Sequence, residues 1–313
     1  MKTIGIIGGS GFIGSHTTKK FLAEGIKVRV STTDISKAEK YDHLRSLSNA
    51  ENLEIITLNV ENKEQLKAFV RDCHIIVHGG TPFQLDVQDP KKELLDPTIE
   101  GTKNFLEVLN TASGIEKVVF VASVAAYNTN FPLPPDGLGP QGTIDETSTP
   151  FISEESHPYA QAKFIANETV EKYIKEQPAI AFEITSVSPV GVMGKALSKR
   201  EDSTSTGLQF LFKNKIAPNP FIQMIYDTDT EFAIVDVKDV AEGIYSAAVR
   251  RGLHGKNYLL SSESWKVSDI SSMLNGEKSK GSPRIVYKND AAKMDLEMEF
   301  NPAVMPLTDF NTN

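Results

Sequence analysis

The chain predicts a doubly wound parallel α/β sheet with a smaller C-terminal lobe, and three observations carry that prediction. Short β-branched runs alternate with helix-patterned stretches through roughly the first 190 residues. Several of those runs are apolar throughout, as strands covered on both faces must be. Beyond them the alternation fades, which divides the chain into a core over residues 1–187 and a lobe over 188–313, with room for segments exchanged between the two.

The strands expected in order are residues 4–7, 28–30, 55–58, 75–77, 118–121 and 180–187. Between them, helices are expected over 13–23, 36–47 (the weakest pattern), 63–70, 99–109 and 159–174. Two stretches break the rhythm. Residues 128–158 carry Pro132, Pro134, Pro135, Pro140, Pro150 and Pro158 among Gly, Ser and Thr, too long for an ordinary connection and so a candidate functional loop. Residues 195–231 also depart from the alternation. A strand at 232–235, a helix at 237–249, a short strand at 258–260 and a helix at 267–274 follow, and residues 289–313 show no sustained period.

Composition narrows the partners. With 33 Lys+Arg against 41 Asp+Glu, the 313-residue chain carries a formal charge of −8, the wrong sign for a phosphate-backbone binder, so no nucleic acid is expected. The single cysteine, Cys73, sits in an apolar run and reads as a core thiol. The six histidines include no HExxH motif, so no metal is expected. Lys2 leads into a glycine-rich turn without the apolar segment of a secretory signal, and no run reaches the roughly 18 apolar residues that span a bilayer. A cytoplasmic protein without membrane contact is the expectation.

Gly8-Gly9-Ser10-Gly11-Phe12-Ile13-Gly14 follows the first strand and opens the first helix. Gly8 suits a tight turn, Gly11 lets backbone approach a pyrophosphate, and Gly14 allows helix to pack on strand, while free helix amides receive the anion. This is the context of a Rossmann-type dinucleotide site, although its spacing is GxxGxxG. Ser31 and Thr32 occupy the tip of the second strand, where a carboxylate would favour NAD. Their hydroxyls favour NADP and leave NAD open, with Lys37 a candidate phosphate partner and Asp34 about 20 residues beyond Gly14.

Tyr159 and Lys163 stand four apart on a predicted helix and share a face. A free tyrosine, with a pKa of about 10, exchanges protons poorly at neutrality unless a nearby ammonium stabilises its anion. Ser123 ends the apolar run 118–122, at the carboxyl end of a parallel strand, where such folds place their chemistry.

Together the glycine pattern, Ser123, and Tyr159 with Lys163 resemble the extended short-chain dehydrogenase/reductase family, from Met1 to about Leu260. Within it, His78, Thr81-Pro82-Phe83, Asp89-Pro90, Leu95, Pro97 and Gly101-Thr102 look most like the dihydroflavonol reductase and cinnamoyl-CoA reductase branch. The resemblance implies that Asn104 is a fourth catalytic residue. It also implies that Ser10, Phe12, Ile13, Gly79, Gly80, Pro189 and Val192 line the cofactor, with His78 structural or near the ribose and Thr81 near the nicotinamide. Asn59-Val60 stands where the family usually has Asp and an aliphatic residue against adenine, and the second-strand tip lacks the arginine common in the branch.

The function expected on these grounds is NAD(P)-dependent interconversion of a small carbonyl compound (aldehyde, ketone or dihydroflavonol-like) and its alcohol. The alternative is an NAD-retaining nucleotide-sugar epimerase or dehydratase. A homodimer is what the resemblance implies for assembly.

Overall fold

The computed structural model describes residues 2–79, 89, 91–139, 141–199 and 203–311. In chain order the first half runs β1 (Thr3–Ile7), α1 (Phe12–Ala23), β2 (Lys27–Thr32), α2 (Asp42–Arg45), β3 (Leu53–Thr57), α3 (Lys63–Val70), β4 (Ile75–His78), α4 (Asp96–Leu109), β5 (Lys117–Val121), α5 (Pro158–Glu176) and β6 (Glu183–Pro189). The second runs β7 (Gly191–Met193), α6 (Thr204–Asn214), α7 (Pro220–Asp227), β8 (Glu231–Asp236), α8 (Val237–Val249), β9 (Asn257–Leu260), β10 (Glu263–Lys266), α9 (Val267–Leu274), α10 (Asp290–Asp295) and α11 (Val304–Asp309).

Seven strands form one sheet in the order β3-β2-β1-β4-β5-β6-β9, with every pairing parallel. The order reverses between β1 and β4, and the crevice outside the carboxyl ends of those strands is where such sheets bind ligands. Strand pleat sorts the core. Ile75 and Val77 of β4 join Phe21 and Leu22 of α1 and Val240 and Ile244 of α8 on one face. Ile76, between them, joins Phe69 of α3, Phe105 of α4 and Val170 of α5 on the other. Cys73 is buried in this second face, where burial pushes its thiol up to about 11, so it is an unreactive core group.

A smaller three-stranded sheet, β10-β8-β7, packs with α6, α7, α9 and α11 around Phe212, Phe232, Trp265 and Ile270. β7 and β10 have no counterpart among the predicted strands, because three- and four-residue strands carry too little periodicity to be seen. Residues 195–231 hold two helices, each begun by a side-chain cap: Ser203 accepts from Thr206 N–H and Asn219 from Ile222 N–H. The helix expected over 36–47 shrinks to a short 3₁₀ turn at Ala38–Lys40 and the four residues of α2, and Asn49, at φ 60°, turns the chain away soon after. The sixth strand begins at Glu183 rather than at residue 180 and runs on to Pro189.

The proline-rich 128–158 stretch has few regular elements but is tied to itself and to the C-terminal part of the chain. Asn128 Nδ2 donates to Leu133 O (2.8 Å) and Tyr287 Oη (2.9 Å), Ile144 N–H donates to Val286 O (2.8 Å), and Phe131 packs edge-on against Phe232, centroids 5.0 Å apart.

Candidate active site

The turn after β1 is built by close backbone contact. Gly8 adopts φ 81°, a conformation costly for any residue with a side chain, and its N–H donates to Ser31 Oγ at 2.9 Å. A Cβ on Gly14 would lie 2.1 Å from Gly8 O and 2.7 Å from Gly9 Cα, and one on Gly9 would lie 2.8 Å from Val30. Ser10, Phe12 and Ile13 occupy the rest of the turn and the first turn of α1, whose N-terminal amides receive no side-chain cap. Uncapped amides at a glycine turn fit a dinucleotide pyrophosphate.

At the end of β2, Ser31 and Thr32 are both buried. Ser31 supports the glycine turn, and Thr32 Oγ1 donates to Asp34 O at 3.3 Å. Thr33 and Lys37 are exposed, and Lys40 Nζ lies 3.5 Å from Thr33 Oγ1. The Asp34 carboxylate accepts from Ser36 N–H (2.9 Å) and Oγ (2.7 Å), which hold it below the usual carboxylate range. Thr33 and Lys40 escaped the sequence reading because their pairing depends on the turn between them. Asn59 is exposed, its Oδ1 taking Glu61 N–H, while the Val60 side chain lies 3.2 Å from the position of a Cβ on Gly101.

Three of the four predicted catalytic residues gather around the end of β5. Lys163 is buried, and its Nζ donates to Val121 O, the last carbonyl of that strand, at 3.1 Å. Ser123 follows two residues later and is half-buried, its Oγ accepting from Ala125 N–H at 3.2 Å. Tyr159 is half-buried one helical turn from Lys163, at the start of a helix opened by Pro158 and capped by His157 Nδ1, which accepts Tyr159 N–H at 3.2 Å. Gln161, which the sequence does not single out, fixes this entry by donating to Glu154 O (3.0 Å) and Ser156 O (2.7 Å). The fourth, Asn104, is buried on α4 and donates to Glu61 O at 3.2 Å.

Burial sets the protonation states. It draws the Lys163 ammonium down to about 8 and raises the Tyr159 phenol above its ordinary value, so the phenol is protonated at neutrality. Next to them, His78 is 3% exposed at the end of β4, against Phe105 and Phe120 with centroids 4.5 and 5.2 Å away. Burial first, and the Lys163 charge second, push it down to about 3, so it stays neutral. Gly79 N–H donates to Ile7 O, and Pro189 and Val192 lie buried at the end of β6 and in β7. Gly80 and Thr81 lie outside the described residues.

A seven-stranded parallel sheet with an uncapped glycine turn, and a Tyr/Lys pair beside a strand-end serine, define a dinucleotide-dependent oxidoreductase. The profile of the NAD dependent epimerase/dehydratase family matches residues 4–261, and the chain belongs to that family, as an extended short-chain dehydrogenase/reductase related to the dihydroflavonol, cinnamoyl-CoA and anthocyanidin reductases. A cinnamoyl-CoA reductase of Medicago truncatula is 28% identical over 262 residues, covering 82% of this chain and 74% of its own. An anthocyanidin reductase of Arabidopsis thaliana is 24% identical over 277 residues, covering 86% and 78%. Among solved structures, yeast methylglyoxal/isovaleraldehyde reductase Gre2 complexed with NADPH superposes with a TM-score of 0.80 at 22% identity, over 98% of this chain and 96% of that one. No helix among the described residues is long and apolar enough to cross a membrane.

Proposed function

We propose that the protein is an NADPH-preferring reductase of small aldehydes and ketones, with residues 188–313 forming most of the substrate side of the cleft. The observation that carries this reading is the buried Lys163 ammonium on the Val121 carbonyl, one helical turn from Tyr159 and beside Ser123. The relatives' activities, reduction of aldehydes, cinnamoyl-CoA and anthocyanidins, support it.

When bound, a nicotinamide cofactor would supply the hydride for the carbonyl carbon. Ser123 Oγ accepts one bond from Ala125 N–H, which leaves its own proton to be donated to the carbonyl oxygen as charge grows there. Tyr159, protonated at neutrality, donates the proton that completes the alcohol. Lys163 holds the nicotinamide ribose and eases charge development on the phenol, and Asn104 links Lys163 to solvent through water. In the oxidative direction Tyr159 must first lose its proton against the cost of burial, so the oxidative rate should rise with pH.

A coupled assay of NADPH and NADH oxidation across methylglyoxal, isovaleraldehyde, cinnamaldehyde and dihydroflavonols tests the reading. Net cofactor consumption is expected; turnover of a nucleotide sugar with no net consumption would establish an epimerase or dehydratase instead. Because kcat/KM reports the free enzyme, its value for NADPH should be level up to about pH 8 and fall as Lys163 deprotonates above it. A profile flat to pH 10 would remove the role assigned to the ammonium.

Cofactor choice rests on the side chains just beyond the second-strand tip. Thr33, Lys37 and Lys40 offer a hydroxyl and two cations to a 2′-phosphate, against one carboxylate, Asp34, already held by Ser36. A preference for NADPH of about tenfold, or about 1.4 kcal/mol, is expected. Thr33→Asp should reverse it without changing kcat. Titration of both cofactors into the two proteins checks this, and tighter NADH binding by the wild type would show that Asp34 reaches the ribose.

A further inference from the structure

A cavity of about 510 Å³ opens at the amino ends of the sheet strands, opposite the catalytic end. From Lys117, on its wall, to Ser123 is six residues along the chain, or about 20 Å of extended backbone. Its floor is apolar, formed by the part-exposed Ile26 and Ile180 with Phe182, over the buried Ile4 and Ile75, and by Val249 at the end of α8. Four cations line it, Lys2, Lys117, Arg250 and Arg251, against two carboxylates, Glu116 and Glu183. In a chain of net charge −8 this is a local excess of positive charge.

Lys117 is the informative member. Its residue is only 4% exposed, and its Nζ donates to Glu183 Oε2 (2.7 Å) and Arg250 O (3.0 Å). An ammonium has three donors, and these acceptors take two. The Glu183 carboxylate is shared as well, its Oε1 accepting Gly252 N–H at 2.8 Å. Arg250 is turned away to Glu297, whereas Arg251 stands exposed with no ion pair among the described residues. An apolar floor under a buried cation with a spare donor and an unpaired guanidinium is complementary to one kind of small molecule.

We infer that this cavity is a second binding site, separate from the catalytic cleft, for a small amphipathic monocarboxylate whose apolar body lies on Ile26, Ile180 and Phe182 and whose carboxylate meets Lys117 and Arg251. Neither the reductase reading nor the cofactor contributes to this argument, so either can fail without the other.

Calorimetry with 4-phenylbutyrate, its neutral amide and inorganic phosphate tests the site on the full chain, each run with and without saturating NADPH. The acid should bind with a 1:1 stoichiometry and a Kd below about 1 mM, about tenfold or more tighter than the amide or phosphate, and equally well with NADPH present. Arg251→Glu should weaken it about tenfold. Val249→Trp fills the cavity from a position 45% exposed, so it spares the core; it should abolish binding of the acid while NADPH affinity is unchanged. Several results would each overturn the proposal: no saturable binding, equal affinity for acid and amide, or binding untouched by Val249→Trp in a protein whose NADPH affinity shows it folded. Displacement of the acid by NADPH would place it in the catalytic cleft and overturn the proposal too.

Discussion

Tyr159→Phe is expected to lower kcat for carbonyl reduction about a thousandfold, about 4 kcal/mol of transition-state stabilisation, with NADPH affinity nearly unchanged. The size follows from the lack of a substitute acid. The His78 imidazole feels the Lys163 charge, but burial holds its pKa at about 3, leaving it no proton to give as an imidazolium at neutral pH. The Ser123 hydroxyl is a far weaker acid than a phenol, and the Lys163 ammonium, anchored by one of its three N–H bonds on the Val121 carbonyl, acts on the substrate through the phenol that Tyr159→Phe removes. Lys163→Met should lower kcat and NADPH affinity together, because its charge serves both the phenol and the ribose. The Tyr159→Phe, Lys163→Met double variant should be little worse than the more damaged single one, since the two act as a unit. Steady-state rates on an aldehyde, with NADPH binding followed by fluorescence, check all three. Turnover of Tyr159→Phe within about tenfold of wild type would move the proton donor elsewhere.

Much of this site was legible in the sequence because its parts lie close together along the chain or at strand ends. Gly8, Gly11 and Gly14 fall within one turn, Tyr159 and Lys163 within one helical turn, and Ser123 directly after an unbroken apolar strand. The central strands were visible for the same reason: residues such as Val118–Val121 are buried on both faces, so their apolarity marks them without any periodicity. What escaped depends on contacts between distant segments. The Val121 carbonyl that receives Lys163 is a backbone atom, to which residue type is blind. The inward turn of Ser31 toward Gly8 reverses the outward role its place at the strand tip suggests, and only the packing of β1 against β2 reveals it.

The second lobe was least legible. Its strands are short, and β9 leaves it altogether to become the seventh strand of the main sheet, while α8 packs with α1 on that sheet's face. The signal for such an exchange is a long-range match of apolar surfaces. Val240, Ile244 and Ala247 recur at helical spacing and identify a buried stripe, but nothing in that stripe says which sheet it covers.

The glycine turn offers the second large effect. Gly14→Ala should weaken NADPH binding about a hundredfold or more, about 3 kcal/mol, and lower the thermal midpoint as well. The added Cβ would sit 2.1 Å from Gly8 O and 2.8 Å from Gly8 C, both backbone atoms, so no side chain can swing aside to receive it. Relief requires α1 to move away from the turn or the turn to open, and either shifts the amides that face the pyrophosphate. Gly207→Ala in α6 is the matched control. Nothing lies within 4 Å of its Cβ position, so it should leave NADPH binding intact and raise stability by up to about 1 kcal/mol through helix propensity. Isothermal titration with NADPH and thermal melts of both variants decide the matter. Were Gly14→Ala to bind NADPH as the wild type does, the turn would have to be looser than its contacts show, and its glycines would be there for the chain's path rather than for the cofactor.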